Sequence, residues 1–161
     1  MVDLDDLKSC DLATGLDTRQ LQAMRPLCEE RKFPQGAVIF REGDKAEKLF
    51  VLLEGAVVIN LPRESQPSIQ LSSVAVGGSF GWSALVAPNR YTTQAEAVTA
   101  CRLLAIDADG LHDLMRQEPT IVFNIMQHLI GVLSSRMKDM RLQMVEMLEV
   151  IDSLREGASR A

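Results

Sequence analysis

Phe33-Pro-Gln-Gly-Ala-Val-Ile-Phe-Arg-Glu-Gly-Asp44, followed by Leu49-Phe-Val-Leu-Leu-Glu-Gly55, is the stretch that decides the fold. Its apolar runs are only a few residues long. Gly36, Gly43 and Gly55 stand where the chain must turn with positive φ, which a residue without Cβ adopts freely. Outward from this stretch the pattern repeats. Apolar runs at 37–40, 49–53, 56–61, 69–76, 92–98 and 102–106 are separated by Pro34, Pro62, Pro67, Gly77, Gly78 and Pro88. Short strands at such close spacing predict a mainly β fold, a sandwich or barrel-like roll. Nothing alternates strand with long helix, which excludes a doubly wound sheet.

Composition narrows the class further. The chain has 161 residues, 47% of them apolar, enough for one domain with a core of its own. A net charge of −5 places no basic nucleic-acid footprint on the whole chain. No apolar run approaches the roughly 18 residues of a membrane span. The first residues are acidic (Asp3, Asp5, Asp6), the wrong flank for a secretory signal. Cys10, Cys28 and Cys101 form no Cys-x-x-Cys pair and no even framework, so a reducing, cytoplasmic setting is expected.

Helical spacing brackets the β region. Residues 1 to about 30 carry Leu4 and Leu7, then Leu16, Leu21, Met24 and Leu27, with Asp17 or Thr18 as N-cap of the second segment. Beyond the strands, Asp107 is the expected N-cap of a short helix with Leu111, Leu114 and Met115 on one face. Pro119 ends it and opens the next. That next helix carries Phe123, Met126, Ile130, Leu133, Met137, Met140, Met144, Met147, Ile151 and Leu154 in an unbroken 3-4 spacing, the pattern of a coiled-coil seam. Val122, Ile125, Leu129 and Val132 widen the apolar face at its start, and between 136 and 143 the stripe narrows to the seam alone. A narrow seam needs a partner helix, and a parallel homodimer is expected. Five of the eight methionines lie in it, which makes the packing adaptable. The expected organisation is a roll with flanking helices over 1–118, the long helix over 119–157 and a tail over 158–161.

The glycine-punctuated stretch, with Gly78-Ser-Phe-Gly-Trp-Ser-Ala-Leu85 and Pro88-Asn-Arg-Tyr-Thr-Thr93, resembles the cyclic nucleotide-binding domain of Crp/Fnr regulators and of cyclic-nucleotide-dependent kinase regulatory subunits. The resemblance covers nearly the whole chain. It implies a β-roll with helices at both ends and a short phosphate-binding cassette that holds a cyclic phosphate on backbone N–H groups. In the family a glutamate after the cassette glycine accepts from the ribose hydroxyl, an arginine later in the cassette pairs with the phosphate, and the long helix closes over the base. Carried onto this chain, the cassette is Phe80, Gly81, Trp82, Ser83, Ala84, Leu85, Arg90, Tyr91, Thr92 and Thr93, and the closing residues are Arg136, Met140 and Arg141.

The chain departs from this pattern where the chemistry sits. Trp82 follows Gly81 in place of glutamate, and an indole donates but does not accept. With a cassette one residue short, Arg90 takes the phosphate position and Thr93 matches the family threonine. With an ungapped cassette, Tyr91 takes that position and Ala97 matches the next small residue. Trp82 and Tyr91 read equally well as packing that fills the pocket. In a parallel pair Arg136 at g faces Arg141 at e, either as two solvated arginines or as a seat for an anion.

Enzyme signals are poor, and no catalytic or metal-binding residue is expected. His112 and His128 lie in separate helices without ligand spacing. Gly77-Gly78 lacks any nucleotide-loop context. Ser83 lacks a nucleophile-elbow frame, and Cys101 reads as a small buried hydrophobe. Seven residues follow Leu154, too few for a helix-turn-helix, so autonomous DNA binding is not expected. Two readings remain open. In one, the chain is a stand-alone sensor in which a cyclic nucleotide (cAMP or cGMP) or similar anion, held weakly, reorients the dimer helix. In the other, the roll is a non-binding scaffold in a dimeric adaptor that meets another signalling protein.

Overall fold

The computed structural model describes residues 2–159. Among these residues, eight strands form two four-stranded antiparallel sheets. One has the order β1 (Cys28–Phe33), β8 (Cys101–Asp107), β3 (Lys48–Glu54) and β6 (Ser79–Phe80). The other has the order β2 (Val38–Phe40), β7 (Gln94–Ala97), β4 (Val57–Arg63) and β5 (Gln66–Val74). The β-roll expected from the short runs is therefore present. β3 and β8, inner strands of their sheet, are nearly continuous apolar runs with Leu49, Val51, Leu52, Leu103, Leu104 and Ile106 fully buried. Strands covered on both faces read that way. Gly36, Gly43 and Gly55 have φ of 79°, 85° and 96°. At Gly55 a Cβ would also stand 2.4 Å from the Ala100 carbonyl oxygen, so glycine is doubly required there.

Two strands depart from the expected pattern. β1 lies where helix was expected to run to about residue 30, and β6 falls outside the apolar runs read as strands. β1 reads Cys-Glu-Glu-Arg-Lys-Phe, with four charged residues in succession. It is an edge strand paired only with β8, and edges tolerate charge because they face water. Its charges are used. Arg102 on β8, its side chain 23% exposed, pairs with Asp6 at 2.8 Å, Glu30 at 3.3 Å and Glu54 at 3.0 Å. The Asp6 contact comes first among the causes that raise the guanidinium pKa.

The helices are α1 (Leu4–Lys8), α2 (Thr18–Met24), α3 (Ala108–Gln117) and α4 (Pro119–Ser159). Asp17 caps α2 in a reciprocal capping box with Gln20, and the Asp107 carboxylate caps α3 through the Gly110 N–H at 2.9 Å. Between α1 and α2, Asp11 docks on the turn before β6. Its N–H donates to the Gly77 carbonyl, and its carboxylate accepts from the Ser79 N–H, each at 2.9 Å.

The chain divides into two compact units, Met1–Ile125 and Met126–Ala161. The boundary falls later than residue 118 because Ile121 and Ile125, in the first turns of α4, are fully buried. α4 also runs past the expected end at 157. Gly157, Ala158 and Ser159 remain helical, since one glycine weakens a helix without ending it. The rest of the expected tail, Arg160 and Ala161, lies outside the described residues. In the second unit Leu129 is buried and Met126 and Val132 are half-buried, whereas the seam positions from Ile130 to Leu154 are exposed.

Candidate ligand-binding cassette

The cassette begins where β6 leaves its sheet. Phe80 is fully buried, and Gly81 then takes φ 81°, ψ 28°, a left-handed conformation. A Cβ on Gly81 would stand 3.3 Å from the Lys48 carbonyl oxygen and 3.4 Å from the rings of Phe50 and Tyr91. Left-handed backbone and close neighbours together favour glycine at this reversal. Trp82–Leu85 form one turn of 3-10 helix, started by the Ala84 N–H donating to the Gly81 carbonyl at 3.1 Å. Ala84 and Leu85 are buried, Ser83 is half-buried, and Trp82 is 8% exposed. The amide of Asn89, itself at φ 56°, donates to the Ala84 carbonyl at 2.9 Å and closes the loop.

After Asn89 the loop is laced to the turn between β2 and β3. Tyr91 N–H donates to the Asp44 carbonyl at 3.0 Å, and Gly43 N–H donates to the Tyr91 carbonyl at 2.8 Å. Residues 90 and 91 consequently point to opposite sides. Arg90 is exposed, and its guanidinium donates to the Gly43 carbonyl at 2.7 Å. Tyr91 is 5% exposed, with its ring stacked on Phe40 at a centroid distance of 3.8 Å and an interplanar angle of 11°. Its hydroxyl donates to the Lys48 carbonyl at 2.7 Å, and burial raises the phenol pKa. Phe50 and Phe80, 5.5 Å apart, complete an aromatic cluster between the two sheets. Thr92 is exposed and Thr93 half-buried.

The structure brings residues 80–85 and 89–91 together with β2 and β3. The acceptors on which the cassette depends, the carbonyls of Lys48 and Gly43, are backbone atoms, which no residue pattern signals. The residues expected to close over a ligand, Arg136, Met140 and Arg141, belong to the second unit. There Arg136 is half-buried, which lowers its guanidinium pKa, while Met140 and Arg141 are exposed. Leu133, Met137, Met140, Met144, Met147, Ile151 and Leu154 are each between 38% and 68% exposed. Among the described residues no three His, Cys, Asp or Glu side chains gather as a metal site, and no helix is long and apolar enough to cross a membrane.

A roll of two four-stranded sheets with a glycine-started helical turn at residues 81–85 defines a class of regulatory domain. The chain belongs to the cyclic nucleotide-binding domain family, whose model matches residues 30–118. It is 23% identical over 124 residues to the CRP-like cAMP-activated global transcriptional regulator of Mycobacterium tuberculosis, which covers 77% of this chain and 54% of that protein. It is 30% identical over 135 residues to glutaminase 1 of Bradyrhizobium diazoefficiens, covering 82% of this chain and 21% of that enzyme. The chain thus spans about half, or less, of these curated relatives. A solved structure from Geobacter metallireducens, assigned as a cyclic nucleotide-binding protein, superposes with a TM-score of 0.74 at 29% identity, covering 85% of this chain and 99% of that one.

Proposed function

We propose that this chain is a dimeric regulatory module, without catalysis of its own, that acts by presenting its helix to another signalling protein in the cytoplasm and does not bind DNA by itself. Its cassette holds cAMP and cGMP weakly or not at all. The observation that carries this reading is the side-by-side placement of Arg90 and Tyr91. The guanidinium is turned out onto the Gly43 carbonyl, and the aromatic ring is turned in against Phe40. Trp82 after Gly81 compounds the effect, because the ribose hydroxyl meets no charged acceptor there. A hydrogen bond to a charged group is worth about 1.5–3 kcal/mol, so its loss weakens binding about tenfold to a hundredfold. The exposed seam of α4 supports the homodimer, in parallel orientation.

A second reading has its own support. The left-handed Gly81 and the helical turn from Trp82 to Leu85 support it, since the family resemblance calls for such a turn. In that reading a nucleotide-like anion seats on the turn, and Arg136, Met140 and Arg141 move with the helix that closes over it. Calorimetry and thermal shift of nucleotide-stripped protein with cAMP and cGMP separate the two. No heat and no shift at millimolar ligand supports the module. Low-micromolar binding that disappears in Arg90→Ala establishes the sensor, since ligand at 100 times its Kd adds about 2.7 kcal/mol of stability.

A further inference from the structure

α4 changes character along its exposed half. With Phe123 at position a of the heptad, a two-stranded seam covers positions a and d. Over residues 133–141 that is nearly all the apolar surface there is. Beyond Met144 it is not. Val145 at b, Leu148 at e and Val150 at g are 52%, 53% and 59% exposed, and they flank the seam on both sides. Positions e and g of a two-stranded coil are ordinarily charged. Seven of the eleven residues from 144 to 154 are apolar, more than one partner helix covers. Such width suits a helix with neighbours on both flanks, as in a four-helix bundle.

Charge decides what those neighbours are. Residues 134–143 carry Arg136, Lys138 and Arg141 against Asp139, a net of +2. Residues 144–156 carry Glu146, Glu149, Asp152 and Glu156 against Arg155, a net of −3. Parallel helices in register set basic on basic and acidic on acidic; antiparallel helices set basic on acidic. The b/e flank reads Lys138, Arg141, Val145, Leu148, Asp152, Arg155. Laid antiparallel on a copy of itself, it places Val145 against Leu148 twice at the centre and Arg141 against Asp152 on either side. Lys138 and Arg155, at the outer ends, are the like-charge pairing that remains.

We infer that the distal half of α4 is a docking surface for further copies of this chain, two dimers joining as an antiparallel four-helix bundle with Val145, Leu148 and Val150 at the contacts and Arg141 paired to Asp152. Each helix then faces its parallel mate across the bundle axis and an antiparallel helix on each flank. This contact is isologous, so it closes on itself instead of growing into a filament. The inference rests on the dimer proposed above, whose a/d seam opens into the shared core of the four helices, and adds the flank contacts to it.

Sedimentation equilibrium on the full chain, from low micromolar upward, tests it. The expected wild-type behaviour is a concentration-dependent dimer–tetramer equilibrium. Val145→Lys with Leu148→Lys is expected to leave dimers, raising the tetramer midpoint about a hundredfold or more, since each change removes the burial of a large apolar side chain. Arg141→Asp alone is expected to weaken the tetramer, and Arg141→Asp combined with Asp152→Arg to restore it, because the swap preserves only the antiparallel pairing. Far-ultraviolet circular dichroism confirms that each variant stays helical. A wild-type protein that remains a dimer at all concentrations overturns the bundle and leaves the dimer standing, while a monomer overturns both. A tetramer indifferent to the lysine changes, or not restored by the swap, also overturns this surface.

Discussion

The ring of Tyr91 lies flat on the ring of Phe40, 3.8 Å between centroids, while its hydroxyl donates to the Lys48 carbonyl. One side chain thereby joins both sheets, since Phe40 belongs to β2 and Lys48 to β3. Truncation to Tyr91→Ala leaves a cavity at that junction and is expected to cost about 3–5 kcal/mol. Tyr91→Phe keeps the stack and loses one hydrogen bond, about 1 kcal/mol. Urea unfolding of the three proteins measures both numbers. A loss below 1 kcal/mol in the alanine variant means the ring is not part of the folded core.

The seam is tested by charge. Met140→Lys together with Met144→Lys sets like charges inside the proposed dimer and is expected to yield monomers with an unchanged roll. Light scattering reports the mass, and an unaltered oligomer places the interface elsewhere on the molecule.

Asp107 links helix capping to pH. Its carboxylate accepts from the Gly110 N–H first and the Lys48 ammonium second, and both hold its pKa below the ordinary value. A carboxylate depressed in the folded state contributes stability above its unfolded pKa of about 3.9, and that contribution is lost as pH falls through the folded value. Asp107→Ala is therefore expected to cost about 1 kcal/mol at pH 7, with the gap to wild type closing below pH 4. A gap of constant size from pH 7 to pH 3 contradicts this account.

Two thiols are held in their protonated form. Burial pushes both Cys10 and Cys28 up to about 12, and Asp11 adds to the effect at Cys10. At pH 8 their thiolate fraction is about a thousandfold below that of an unperturbed cysteine, and alkylation of the native protein should be slower in proportion. The unfolded chain releases these protons near pH 8.5 and the folded one near 12, so stability declines as pH rises through that window. Labelling of the buried Cys10 and the half-buried Cys28 within tenfold of the rate in denaturant would falsify this account.

Legibility from the sequence followed periodicity and backbone demand. The inner strands β3 and β8, the positive-φ glycines and the caps Asp17 and Asp107 each leave a local mark: an apolar run, a turn residue, a short polar side chain before a helix. β1 leaves none, because a charged edge strand looks like a solvated segment until its partner β8 is known. The cassette was legible as a glycine-started turn but not in its polarity. Arg90 and Tyr91 are adjacent and face opposite sides. Which one faces in depends on the loop of residues 86–89, whose Asn89 at φ 56° breaks any two-residue alternation. The register that turns Tyr91 inward is set by backbone bonds to Asp44 and Gly43, more than forty positions away.

The bonds from Asp11 to the carbonyl of Gly77 and the N–H of Ser79 give the first helices a timekeeping role over the cassette. Ser79 stands two residues before Gly81, and its amide proton is held by a carboxylate from outside its own sheet. Its exchange with solvent deuterium therefore waits on release of the Asp11 carboxylate, whatever the lifetime of the pairing between β3 and β6. Proton by proton, exchange at Ser79 counts how often that carboxylate leaves the turn that leads into Phe80 and Gly81.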